Sequence, residues 1–163
     1  MPPLNLAFSI LMIPSENTQS ASFWLDKGNE LCNSGQMEDA LKAYDKALSI
    51  DCSLVDAWNN KGIILANLGR YSEALQCFDE SLKISPKHVY TLCNKGMVLG
   101  QQKKFPEALR CFDEAIAIDP YFAGAWYNKA LALQSLGKGR EAMAAMKTAK
   151  ALESAARGGC RPR

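Results

Sequence analysis

Acid–base chemistry near neutral pH would fall first to His88, the single histidine of the chain and the side chain type that titrates there unperturbed. It stands where one helical stretch hands over to the next, an ordinary place for an exposed polar residue, so no catalytic role is assigned to it. Six cysteines could bridge or hold metal, but they form no paired C-x-x-C and no H-E-x-x-H accompanies them. Cys77 and Cys111 lie 34 residues apart, at equivalent points of neighbouring repeats. Such points are spaced by at least ~8–10 Å, beyond the ~7 Å that a disulfide spans between Cα atoms. Cys32, Cys52, Cys93 and Cys160 share no repeat position. Free thiols in a reducing compartment are expected, and with them a cytoplasmic location. Gly137-Lys138-Gly139-Arg140 is glycine-rich and basic but lacks the spacing of a phosphate-binding loop. Glu80 and Glu114 recur one repeat apart and read as solvated charge. No enzyme, cofactor, metal site or small-molecule substrate is expected.

What positions these residues is a period. Trp24, Trp58, Leu92 and Trp126 stand 34 residues apart; Gly28, Gly62, Gly96 and Ala130 follow four places later. Ala40, Ala74, Ala108 and Ala142 mark a third position, and Tyr44, Phe78, Phe112 and Met146 a fourth. A fixed period of this length means a stacked array. Within residues 55–88, Trp58, Gly62 and Leu65 share one helical face, and Ala74, Phe78 and Ser81 share another. Gly69 suits the left-handed geometry that ends many helices, and Pro86 stops the second one. Each copy is thus an antiparallel hairpin of two helices, each about 21 Å long at the α-helical rise. The glycines let the paired backbones approach, and the aromatic residues fill the surroundings. Pro106 falls at a helix start, where proline is tolerated.

Trp58-x2-Lys61-Gly62-x2-Leu65, Ala74-x3-Phe78 and Pro86 resemble the tetratricopeptide repeat pattern, as do Leu92, Lys95, Gly96, Leu99, Ala108, Phe112 and Pro120. The resemblance covers four copies and implies an all-α, right-handed solenoid of about eight helices. The units are 21–54, 55–88, 89–122 and an atypical terminal 123–156, with an apolar extension at 1–20 and a basic tail at 157–163. Lys27, Lys61, Lys95 and Lys129 depart from the family's usual leucine. Their stems are expected to run along the seam while their ammonium groups stay wet or pair with second-helix acids such as Asp45, Asp79 and Asp113. Gly139 and Met146 replace aromatic residues in the last copy, predicting a frayed C-terminus or self-association through its open face.

The resemblance also implies a concave surface lined by the first helix of each pair, where a partner peptide lies. By position, that lining comprises Asn29, Asn59, Asn60, Ile63, Tyr90, Asn94, Met97, Tyr127, Asn128 and Leu131. An asparagine amide offers a donor and an acceptor to an extended backbone, and aromatic residues serve as interface anchors. Family members that grip acidic C-terminal tails use cations at positions held here by Leu25, Tyr90 and Asn94. A strongly acidic tail is therefore not the expected occupant. The reading is a non-enzymatic interaction scaffold for another protein or peptide, with RNA binding and self-assembly as rivals.

Charge and the termini add little. Net charge is +2, too small to steer nucleic acid. Residues 137–163 carry +5 and the rest −3, which reads as a solvated basic tail. Leu4 to Ile13 is apolar but too short for a membrane-spanning helix, with no preceding Lys or Arg. It is expected to fold back over the first repeat. An export signal or membrane tether, or a disordered stretch, are the alternatives.

Overall fold

The computed structural model describes residues 19–157. The apolar run 4–13, Cys160 and the last of the basic tail lie outside the described residues. Eight α-helices form four antiparallel pairs: α1 (Ala21–Asn33) with α2 (Met37–Ile50), α3 (Val55–Asn67) with α4 (Tyr71–Ile84), α5 (Val89–Gln101) with α6 (Phe105–Ile118), and α7 (Ala123–Ser135) with α8 (Gly139–Arg157). No strand occurs among the described residues. The chain is an all-α solenoid.

One spatial feature sets its shape. Each first helix approaches the next first helix, α1 to α3, α3 to α5 and α5 to α7, whereas the Cα atoms of successive second helices stay more than 8 Å apart. The array therefore curves toward its first helices, which form the inner wall.

Close backbone approach inside each pair explains the periodic glycines. A Cβ on Gly28, Gly62 or Gly96 would sit 2.5–2.6 Å from the ring of Tyr44, Phe78 or Phe112 respectively. Each ring therefore occupies the space a side chain would take. In the last pair the couple becomes Ala130 with Met146, so a methyl group is accommodated by a flexible thioether instead of a rigid ring. Three inter-helix turns place glycine at positive φ: Gly35, Gly69 and Gly137 at φ 75–78°. The third turn uses Lys103 at φ 61°, a conformation that costs a residue with a Cβ. Trp58 and Trp126 fasten the loop before their helix, their indole N–H donating to the carbonyls of Cys52 and Pro120 at 3.0 and 2.9 Å.

The expected fraying at the C-terminus is not what the structure shows. α8 runs 19 residues, where α2, α4 and α6 run 14. Pro86 and Pro120 follow the ends of α4 and α6, but Cys52 holds that position after α2, which also ends after 14 residues, so a missing proline does not by itself extend a helix. The last repeat has Ser154 there and an alanine-rich sequence of high helix propensity, and its helix runs on to Arg157. Among the described residues no helix is long and apolar enough to cross a membrane.

Candidate interaction groove

The asparagines on the inner wall are wired to one another. Asn60 Nδ2 donates to Asn29 Oδ1 at 3.0 Å, and the Tyr44 hydroxyl donates to the same oxygen at 2.8 Å. Asn59 Nδ2 donates to Asn60 Oδ1 at 3.1 Å, and Asn94 Nδ2 donates to Asn59 Oδ1 at 2.9 Å. Asn59 departs from its expected place in the lining: it is 6% exposed, because hairpin three covers it. It braces the wall from behind. Asn128 continues the ladder in position but has no side-chain hydrogen bond within the described residues. Its counterpart partner is Cys93, a buried thiol with no carbonyl to offer.

Asn59 also anchors a buried polar cluster that the sequence reading missed. The Thr91 hydroxyl donates to Asn59 Oδ1 at 3.1 Å, Ser81 donates to the Val55 carbonyl at 3.2 Å, and the two hydroxyl oxygens lie 3.0 Å apart. His88 Nδ1 lies 2.6 Å from the Thr91 hydroxyl oxygen, and its Nε2 lies 3.6 Å from Asp56. An Asp–His–hydroxyl order invites a nucleophilic reading, but Thr91 and Ser81 are 0% exposed. No substrate reaches either hydroxyl. A signal was present: positions 59, 81 and 91 hold Leu25, Ala47 and Ala57 one repeat earlier, so three polar residues replace apolar ones at once.

The remaining lining residues are exposed or half-buried. Tyr90, Met97 and Leu131 are exposed on the wall, and Tyr90 leans edge-on against Phe122 with centroids 5.3 Å apart. Ile63 is half-buried against the first core cluster. Tyr127 owes its exposure to position: Asn59 and Cys93, its equivalents, are covered by the following hairpin, and no fifth hairpin exists among the described residues. Two hollows open on the wall. One, of about 350 Å³, lies between α1 and α3, where Asn29, Asn33 and Asn60 stand beside Ile63 and the Tyr44 ring. The other, of about 290 Å³, lies between α5 and α7 and is largely apolar, with Met97, Gly100, Phe105 and Leu131. Larger hollows beside α4 are lined by Lys61, Lys83, Asp79 and Lys95, all already engaged in ion pairs.

The lysine ladder closes the seams as expected. Lys61 reaches Asp45 at 2.5 Å, and Lys95 reaches Asp79 and Lys129 reaches Asp113 at 2.6 Å, each crossing from one hairpin to the one before. Lys27 has no preceding hairpin among the described residues and pairs with Glu30 at 3.2 Å. Burial alone would lower the Lys95 pKa, but the hydrogen bond and charge of Asp79 outweigh it and hold the ammonium above its ordinary value. Cys32, Cys52, Cys77, Cys93 and Cys111 are all free thiols. Burial pushes Cys93 up to about 12 and Cys77 up to about 11, so neither is a nucleophile at neutral pH. Among the described residues no cluster of three or more His, Cys, Asp or Glu could hold a metal.

Known proteins agree with this architecture. Tetratricopeptide repeat models match residues 53–120 and 111–146, and a TPR repeat model matches residues 28–69. The crystal structure of MamA superposes with a TM-score of 0.79 at 19% identity, over 85% of this chain and 81% of that one. MamA 41-end from Desulfovibrio magneticus RS-1 gives a TM-score of 0.74 at 28% identity, over 82% of this chain and 76% of that one. No curated protein matches the chain. With three repeat models spanning residues 28–146 and the helix pairs stacked in sequence order, the chain belongs to the tetratricopeptide repeat family.

Proposed function

We propose that the chain is a non-enzymatic interaction scaffold that holds an extended segment of another protein against its first helices. Family membership supports the protein–protein interaction role. The observation that carries the finer reading is the inner wall itself. It exposes Tyr90, Met97 and Leu131 on one curved surface, the arrangement by which aromatic and large aliphatic side chains serve as anchors. The cations that an RNA-binding reading needs are tied up in the seams, which weighs against that rival. The wall also carries Asp26 and Asp56, which suits a neutral or basic segment better than an acidic tail. The test is a pull-down from native extract using the unaltered chain and a Tyr90→Ala/Met97→Glu variant. Loss of specific partners with the variant is the expected result. Recovery of the same proteins by both would place binding elsewhere.

Self-association is a second reading with an observation of its own. Met143 is 76% exposed at a position where Leu41 is buried and Leu75 and Leu109 are half-buried. That apolar junction face suits a second copy. Size measured across a dilution series decides it, and a monomer at every concentration removes it.

A further inference from the structure

We infer that the hollow between α5 and α7 is a subsite for one large apolar side chain of the bound segment, and that this segment is neutral to basic. The inference rests on the groove reading above and specifies what the groove selects.

Gly100 is the starting observation. It lies in the last turn of α5, one residue before the helix ends at Gln101, and it is not among the glycines held at positive φ. A Cβ there would meet nothing within 4 Å, so packing does not require the glycine. Gly96, one turn earlier, is required because Phe112 fills its space. The positions equivalent to Gly100 hold Cys32, Ala66 and Gln134. Only the third hairpin leaves the wall bare, and the bare patch floors a hollow of about 290 Å³. That is roughly ten times the share of one water in the liquid, enough for a leucine- or phenylalanine-sized group and its flanking backbone.

The walls match such a guest. Met97 and Leu131 are exposed by 45% and 41%, and Phe105 borders them. Methionine adapts to the shape that enters. Asn128 stands at the rim, and it is the ladder asparagine that the array leaves without a hydrogen bond. Asn60 and Asn94 spend theirs on Asn29 and Asn59. An amide free at the mouth of an apolar hollow fits the backbone that flanks a buried side chain.

Charge fixes the rest of the occupant. The positions of the first helices that face inward, counted from Ser22, Leu25, Asp26, Asn29, Cys32 and Asn33 at 34-residue steps, hold Asp26 and Asp56 and not one Lys or Arg. Both acids are in the N-terminal half, away from the apolar hollow. The complementary ligand is an extended segment of a partner protein with a large aliphatic or aromatic residue at one end and a lysine or arginine toward the other.

A displayed library of random linear peptides, panned on the full chain, tests this. Selected sequences should share a large apolar residue and carry net positive charge. Synthetic versions should bind Gly100→Leu about tenfold more weakly or worse, as expected when an apolar group of that size is denied its site. Thermal unfolding of Gly100→Leu at or above the midpoint of the unaltered chain shows that the loss is not misfolding. Peptides that bind Gly100→Leu unchanged, yet lose affinity for Asp56→Lys/Tyr90→Ala, overturn the subsite and leave the groove standing. Peptides indifferent to both variants, or a library that yields no binder, overturn the subsite and the groove together. Enrichment of acidic peptides overturns the charge assignment.

Discussion

The junction between the second and third hairpins and the junction between the third and fourth use equivalent positions for opposite chemistry. In the first, Asn59, Ser81, His88 and Thr91 form a buried hydrogen-bonded knot. In the second, the same positions hold Cys93, Ala115, Phe122 and Ala125, which pack as an apolar core. Between the first and second hairpins they hold Leu25, Ala47, Leu54 and Ala57, again apolar. Apolar junctions between near-identical hairpins are interchangeable; a polar knot is satisfied only when each member meets its own partner. The central junction thus marks which hairpin belongs beside which.

The largest expected effect breaks that mark. Asn59→Ala strips partners from Thr91, Asn94 and Asn60 at once and should cost about 2–3 kcal/mol in urea unfolding. Converting the whole knot to its neighbour's residues (Asn59→Cys, Ser81→Ala, His88→Phe, Thr91→Ala) should cost about 1 kcal/mol, because the fully buried hydroxyls go with their partner and only half-buried Asn94 and Asn60 lose a hydrogen bond. If the four-residue variant is as damaged as the single one, the comparison between junctions fails. Next in size is Gly96→Ala, whose methyl would lie 2.5 Å from the Phe112 ring. We expect a loss of about 1–2 kcal/mol, largely recovered by adding Phe112→Met, which reproduces the Ala130–Met146 couple of the last hairpin.

Alkaline unfolding probes the apolar junction. Burial raises Cys93 from 9.0 to about 12 and also raises Cys111. In the unfolded chain these thiols ionise once pH exceeds their ordinary value, while in the folded chain they stay protonated. Stability from this source is complete below pH 9 and is lost as pH climbs from there toward 12. Cys93→Ala should flatten that fall in a pH series of melting curves. Smallest is the seam: Lys95→Met removes the pair with Asp79 and should cost about 0.5 kcal/mol, with most of the difference vanishing in high salt.

The hairpins, their boundaries and the lysine–aspartate seams were legible in the sequence because each repeats at one spacing, and repetition makes a weak local pattern strong. What escaped were the exceptions. Asn59 reads as a groove residue from its position alone; only the covering hairpin, through Thr91 and Asn94, turns it inward. Gly100 looks like a dispensable helix glycine until the space above it is seen to be empty. The length of α8 departs from the frayed end that Gly139 and Met146 predict, because its alanine-rich sequence carries high helix propensity.

First helices bear on one another and second helices stand apart, and this has a mechanical consequence. Each junction, held mainly by a second helix against the following first helix, works as a pivot. Small rotations at successive pivots add, as in any stack whose units meet only their neighbours. Under the groove reading proposed above, a guest laid from Asn60 to Leu131 would straddle two of them. Its grip and the bend of the stack would then be coupled: filling the hollow would bias the curvature, and straightening the stack would loosen the hold.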